Sequence, residues 1–242
     1  MVIKLAGLRI GINNLYPQTE VLCRDYRCDE TPDFDVMISQ EDIASEREKS
    51  AREDLAEGRT VRNWSEAYLE TLAVYRKIAE KMPEYNTVLF HGSCVAVDGM
   101  GYLFTAKSGT GKSTHTRLWR ELLGDRAVMV NDDKPLIRVE EERAVVFGTP
   151  WDGKHRLSSN ISVPLKALCI LERSLENHIE PIASVSEAYP MLLQQVYRPA
   201  DPAALAKTLK LIDKLACNVP LYCLGCNMES GAAKVAYDVM KG

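Results

Sequence analysis

Residues 101–123 constrain this chain more than any other stretch. Gly101-Tyr102-Leu103-Phe104-Thr105 is an apolar run of strand type, and Thr116-Arg117-Leu118-Trp119-Arg120-Glu121-Leu122-Leu123 has helical patterning. Between them lies Ala106-Lys107-Ser108-Gly109-Thr110-Gly111-Lys112-Ser113-Thr114. A glycine-rich loop joining a strand to a helix start aims several backbone N–H groups at one point and so prepares a seat for phosphate. The pattern assigns nucleotide binding to Ser108, Gly109, Thr110, Gly111, Lys112, Ser113 and Thr114. Lys112 supplies a mobile cation for the outer phosphates and Ser113 a hydroxyl for Mg²⁺. Ala106 stands where the phosphate-loop pattern has glycine; one methyl group still permits a turn with φ below zero.

A strand ending in acid is the natural complement to such a loop. Val128-Met129-Val130-Asn131-Asp132-Asp133 supplies one, with Asp132 twenty residues after Lys112. One carboxylate is expected to complete a Mg²⁺ shell, and the other to accept a proton from an attacking hydroxyl. Neighbouring carboxylates raise each other's proton affinity, while Mg²⁺ and Lys134 act in the opposite direction. Read without that strand, Asn131-Asp132-Asp133 is only a turn.

Elsewhere the chain alternates short strands and helices. Residues 1–38 read as a small set of strands broken by Gly, Pro and Asn. Residues 40–58 are highly charged and read as a solvated helix or a mobile linker. Ser65 is an expected N-cap for a helix carrying Tyr68, Leu69, Leu72, Val74, Tyr75, Ile78 and Ala79 toward Pro83. Strands are expected over 87–91 and 94–97, with a turn at Asp98-Gly99 before the phosphate-loop strand. Leu136 to Val139 and Ala144 to Phe147 form a hairpin around Glu140-Glu141-Glu142-Arg143. Strands at 166–172, 178–183 and 219–224 and helices near 186–197, 201–216 and from 229 complete the pattern. So many hairpin-length turns exclude a purely parallel, doubly wound sheet, in which every crossover carries a helix. The fold class is therefore α/β, a mixed β-sheet with helices packed on it and a small β-rich N-terminal part. The expected organisation is strands and a charged helix or linker over 1–62, then a phosphate-loop domain over 63–242.

From His91 to Asp133 the chain resembles the HPr kinase/phosphorylase and ATP-dependent phosphoenolpyruvate carboxykinase superfamily. His91-Gly92-Ser93, a hairpin, the loop Ser108 to Thr114 and the Asp pair match in order and approximate spacing. The pattern is most similar to small bacterial HPr-kinase-like proteins, in which it continues through Gly148-Thr149-Pro150-Trp151-Asp152-Gly153-Lys154; that wider likeness spans residues 66–240. The resemblance implies a kinase-like phosphate-loop domain with Asp132 as general base. It also implies His91 in the site, as a metal ligand in the manner of the carboxykinases or beside the catalytic carboxylate in that of HPr kinase. The chain is too short for a carboxykinase, and Leu168-Cys169-Ile170-Leu171-Glu172-Arg173-Ser174 replaces the Arg-Gly signature of HPr kinase, so HPr itself is not the expected substrate.

The resulting expectation is an ATP-dependent kinase phosphorylating a hydroxyl on a protein, a peptide or a small metabolite. Asp132, His91 and Lys112 are its catalytic residues, and Ser113, Asp133 and Asp132 hold Mg²⁺. The resemblance also allows pyrophosphate as donor. Trp151 to Arg156 reads either as a second site loop, with Lys154 and Arg156 holding an anionic substrate, or as a surface turn. A nucleotide-binding regulatory module without turnover is the alternative from another class.

A net charge of −4 gives no electrostatic footprint for nucleic acid. No segment approaches the length of a membrane span, and the first ten residues do not read as a signal peptide. Seven cysteines without framework spacing are expected to be reduced thiols in a cytoplasm, with Cys223-Leu224-Gly225-Cys226 ending a strand rather than forming a zinc or redox site. A homo-oligomer stays open.

Overall fold

The structure, a computed structural model, describes residues 1–56 and 58–242. It divides into two compact units, Met1–Lys81 and Met82–Gly242.

In the first unit, β1 (Val2–Leu5) and β2 (Leu8–Asn13) form an antiparallel hairpin, and β3 (Phe34–Met37) adds parallel to β2. Helix α1 (Pro17–Leu22) starts on proline, which costs nothing at a position whose N–H has no helical partner. Helix α2 (Gln40–Ala56) occupies the charged stretch; residue 57, at its end, lies outside the described residues. Helix α3 (Glu66–Lys81) buries Leu69, Ala73, Val74 and Ile78. The hydroxyl of Ser65 accepts from the Tyr68 N–H at 3.3 Å, as a cap does.

The boundary expected at 62/63 falls inside this unit, because α3 is tied to elements before it. Glu70 is fully buried, and its carboxylate accepts the backbone N–H groups of Leu15 and Tyr16 and the Thr19 hydroxyl, the last at 2.8 Å. A side chain of α3 thereby satisfies donors at the start of α1. Arg76 pairs with Glu46, and Lys77 with Asp42 at 2.7 Å, which joins α2 to α3 through charge.

The second unit is built on one nine-stranded mixed sheet. Its elements run β4 (Thr87–Leu89), β5 (Ser93–Val97), β6 (Met100–Thr105), α4 (Lys112–Leu123), β7 (Ala127–Asn131), β8 (Leu136–Val139), β9 (Ala144–Phe147), β10 (Ser162–Arg173), β11 (His178–Pro181), α5 (Val185–Gln195), α6 (Pro202–Asn218), β12 (Leu221–Cys226) and α7 (Ser230–Met240). Strand order is β4-β8-β9-β10-β6-β5-β7, with β12 also on β10 and β11 on β12. Only β10–β6 and β10–β12 are parallel; the other pairs are antiparallel. Asp98 and Gly99 both have positive φ, 51° and 80°, the geometry a two-residue hairpin turn requires.

Side chains alternate across this sheet with period two. Cys94, Ala96, Leu103, Leu168 and Ile170 face one core, shared with Leu192 of α5 and Leu211, Ile212 and Leu215 of α6. Val95, Val97, Phe104, Cys169 and Leu171 face the other, shared with Trp119 of α4 and Ala232, Ala233 and Ala236 of α7. With both faces covered, the central strands read as continuous apolar runs. Among the described residues no helix is long and apolar enough to cross a membrane.

His115 lies in the second core, 2% exposed, with Nε2 accepting the Trp119 indole N–H at 3.0 Å and its ring edge-on to Phe104. Burial pushes its pKa down to about 4. The native state therefore holds His115 neutral over a range in which the unfolded chain binds a proton, so stability falls as pH drops from about 6.5 to about 4. The contribution is as much as about 3 kcal/mol. Urea unfolding of His115→Gln, compared with the parent across this range, should show that part of the pH dependence removed; parallel curves would show that His115 does not carry it.

Candidate functional site

Strand β6 delivers the chain to the loop at 106–111, and α4 leaves it. Gly109 and Gly111 have φ of 76° and 121°, a region side-chain-bearing residues rarely enter. Ala106 is fully buried and is not among the non-glycine residues with positive φ, so the position where the pattern has glycine does not need one. No side chain caps α4, and the first-turn N–H groups, which lack helical acceptors, open onto the loop. The Lys112 ammonium folds back to donate to the Ala106 carbonyl at 3.2 Å. Burial lowers its pKa, with Asp133 and Asp132 acting in the opposite direction. A partly desolvated cation beside an uncapped helix start fits a phosphate chain.

The acids come from the end of β7. Asn131 is fully buried, and its amide donates to the carbonyl and hydroxyl of Thr149, both at 3.0 Å. Its side-chain oxygen accepts the N–H groups of Asp133 at 2.9 Å and Lys134 at 2.7 Å. This turn sends the two carboxylates to different places. Asp132, 5% exposed, accepts the Ser93 hydroxyl at 2.6 Å. Ser93 and Thr116 hydroxyls lie 2.9 Å apart, and Thr116 donates to the carbonyls of Lys112 and Ser113. Asp132 is thus wired to the first turn of α4. Asp133 stays half-buried, with Oδ1 3.5 Å from His91 Nε2 and Oδ2 3.7 Å from the Lys134 ammonium.

The resemblance implies His91 as a metal ligand or beside the catalytic carboxylate, Asp132; the carboxylate it contacts is that of Asp133. The reason is local: the Asp132 side chain turns inward to Ser93, leaving its neighbour to face the imidazole. Burial lowers the pKa of His91, and the cations Lys112 and Lys134 lower it further against the pull of Asp133. Gly92 sits where a Cβ would lie 3.0 Å from the Phe104 carbonyl, which keeps His91 and Ser93 close against β6.

The segment after β9 passes over this pair. A Cβ on Gly148 would lie 1.9 Å from the Ser159 carbonyl and 2.6 Å from that of Val130, so backbone fills the space. Gly153, with φ of 72°, brings the loop to where a Cβ would be 3.2 Å from the Cβ of Asp133. Lys154 and Arg156 follow on the exposed side, and Arg156 approaches Asp152 at 3.6 Å. Ser158 donates to the other Asp152 oxygen at 2.9 Å. Burial raises the pKa of Asp152. Trp151 is buried, as a packed surface turn would also have it.

Four contributors escaped the sequence reading: Ser93 as donor to Asp132, Asn131 as the turn's anchor, Gln195 beside His91, and Arg173. The last donates from the end of β10 to the Gly109 carbonyl at 2.7 Å. The cysteines are all free thiols, and among the described residues no group of three or more His, Cys, Asp or Glu is placed to hold a metal ion. A Mg²⁺ ion held mainly by phosphates and water needs only one or two protein oxygens.

Replacing Asn131 with Ala strands the N–H groups of Asp133 and Lys134 and the paired groups of Thr149. We expect a loss of about 3 kcal/mol in urea unfolding, and faster amide exchange at 133 and 134. Unchanged exchange at those two amides would remove Asn131 from this role.

A family model described as SynChlorMet cassette protein ScmC matches residues 57–233. No curated protein matches the chain. Among solved structures, the HPr(Ser) kinase/phosphatase from Coxiella burnetii is similar at 12% identity and a TM-score of 0.33, over 64% of this chain and 99% of that one.

Proposed function

The chain belongs to the family of the SynChlorMet cassette protein ScmC, and from the chemistry of its site we propose an ATP- and Mg²⁺-dependent phosphotransferase acting on a hydroxyl. The observation that carries the reading is the convergence of Lys112, Asp132, Asp133 and His91 on one uncapped, glycine-shaped helix start. The loop N–H groups and Lys112 neutralise the phosphate oxygens, which is most of what a loose phosphoryl-transfer transition state asks of a protein.

We exchange the carboxylate roles expected from the sequence. Asp132, buried and wired through Ser93 and Thr116 to the helix turn that bears Ser113, is the better partner of Ser113 for Mg²⁺. Asp133, more open and beside His91, is the better proton acceptor for the substrate hydroxyl. Lys154 and Arg156, following Gly153 past Asp133, are the side chains offered to an anionic acceptor. The acceptor is a serine of a protein or peptide, or a small metabolite, and pyrophosphate is the alternative donor.

The test is incubation with γ-labelled ATP and Mg²⁺, with labelled pyrophosphate in a parallel arm, beside extracts of metabolites and small proteins. Label should move to an alcohol oxygen. Lys112→Met should cut transfer by about 10²-fold or more. Asp133→Asn should abolish transfer while Mg–nucleotide binding persists; Asp132→Asn should weaken that binding itself. Label that stays in the donor or appears only as free phosphate, with every extract, sinks the proposal.

A further inference from the structure

Gln195 closes α5 and is 7% exposed. Its backbone carbonyl accepts the His91 N–H at 2.7 Å, and its side-chain oxygen lies 3.1 Å from His91 Nδ1. The amide nitrogen of the same side chain points to the Met191 sulfur, at 3.9 Å. Sulfur accepts and does not donate here, so the amide orientation follows: oxygen toward the imidazole, nitrogen toward Met191. An oxygen at that distance requires a proton on Nδ1. In the neutral ring, which burial favours, Nε2 then carries the lone pair, and it is Nε2 that faces Asp133.

We propose that Gln195 is the positioning residue of the site: it fixes the ring of His91 in the Nδ1–H form, with the Nε2 lone pair on the side of Asp133.

The consequence, which rests on the phosphotransferase reading, concerns the strength of the base. In the opposite tautomer Nε2–H would donate to Asp133, stabilise its anion and weaken it as a proton acceptor. Held as it is, the imidazole offers Asp133 no hydrogen bond, and the carboxylate stays available to the acceptor hydroxyl. The charged groups facing His91 are Lys112 from the start of α4 and Asp133 and Lys134 from the turn after β7; Gln195 is the contribution of α5. Which ring nitrogen carries the proton is set by the hydrogen bonds the ring makes, so the tautomer here is imposed by a partner.

Nitrogen NMR of the ring, on the full chain at about pH 8 where imidazoles are neutral, reads this directly. The parent should show His91 protonated at Nδ1. Gln195→Leu should move it wholly or partly to Nε2–H, and Gln195→Glu, which keeps an acceptor oxygen in place, should hold Nδ1–H. In turnover, Gln195→Leu should lose about tenfold in kcat with nucleotide affinity unchanged, and Gln195→Glu should recover most of it. A parent ring protonated at Nε2, or a Gln195→Leu ring unchanged from the parent, overturns the assignment. The spectra decide it even if no acceptor takes phosphate, which would count against the phosphotransferase reading alone.

Discussion

The amide of Asn131 is the contact on which the rest of the site depends. It ties the end of β7 to the turn at 132–134 and to the segment at Thr149 by satisfying backbone groups of both. Buried polar groups of this kind are costly to leave unpaired, so the turn has one low-energy form. That form points consecutive carboxylates in opposite senses, one into the protein and one toward the imidazole. A site with two acids in two environments is a consequence of a single side chain that itself carries no charge.

Much of the framework was legible in the sequence because it is local. Strand, glycine loop and helix are contiguous over 101–123, and the hairpin turn at Asp98-Gly99 and the strands around 136–147 have their signals within a few residues. The two-faced burial of the central strands also showed, as apolar runs without polar alternation. Within the charged stretch at 40–58, residues 40–56 form a helix held by partners on α3, Arg76 and Lys77, which no local pattern could weigh against a linker.

What was not legible depends on distance along the chain. Gln195 meets His91 across 104 positions, and Glu70 reaches Leu15 across 55. Neither residue type advertises such a partner. The different settings of Asp132 and Asp133 have another cause: adjacent acids are equivalent to spacing arguments, and Ser93, 39 positions away, tells them apart by donating to one of them. The two compact units divide after Lys81 and not at 62/63, and helical periodicity in α3 says where a face is buried but not against what.

Strand β10 has a further bearing, on the order in which this unit is assembled. It pairs with β9 at its start, with β6 along its middle and with β12 at its end, and the parallel partners are separated from it by long intervening stretches. Loop closure over such distances must precede the contacts that reward it, which makes the topology slow to fold. The glycine loop lies at the end of β6, and Arg173, the last residue of β10, grips its Gly109 carbonyl. During synthesis the loop therefore leaves the ribosome some sixty residues before the strand and the arginine that shape it. The loop is a late feature of this fold: the chain must already be committed to its central sheet before residues 106–111 take their shape.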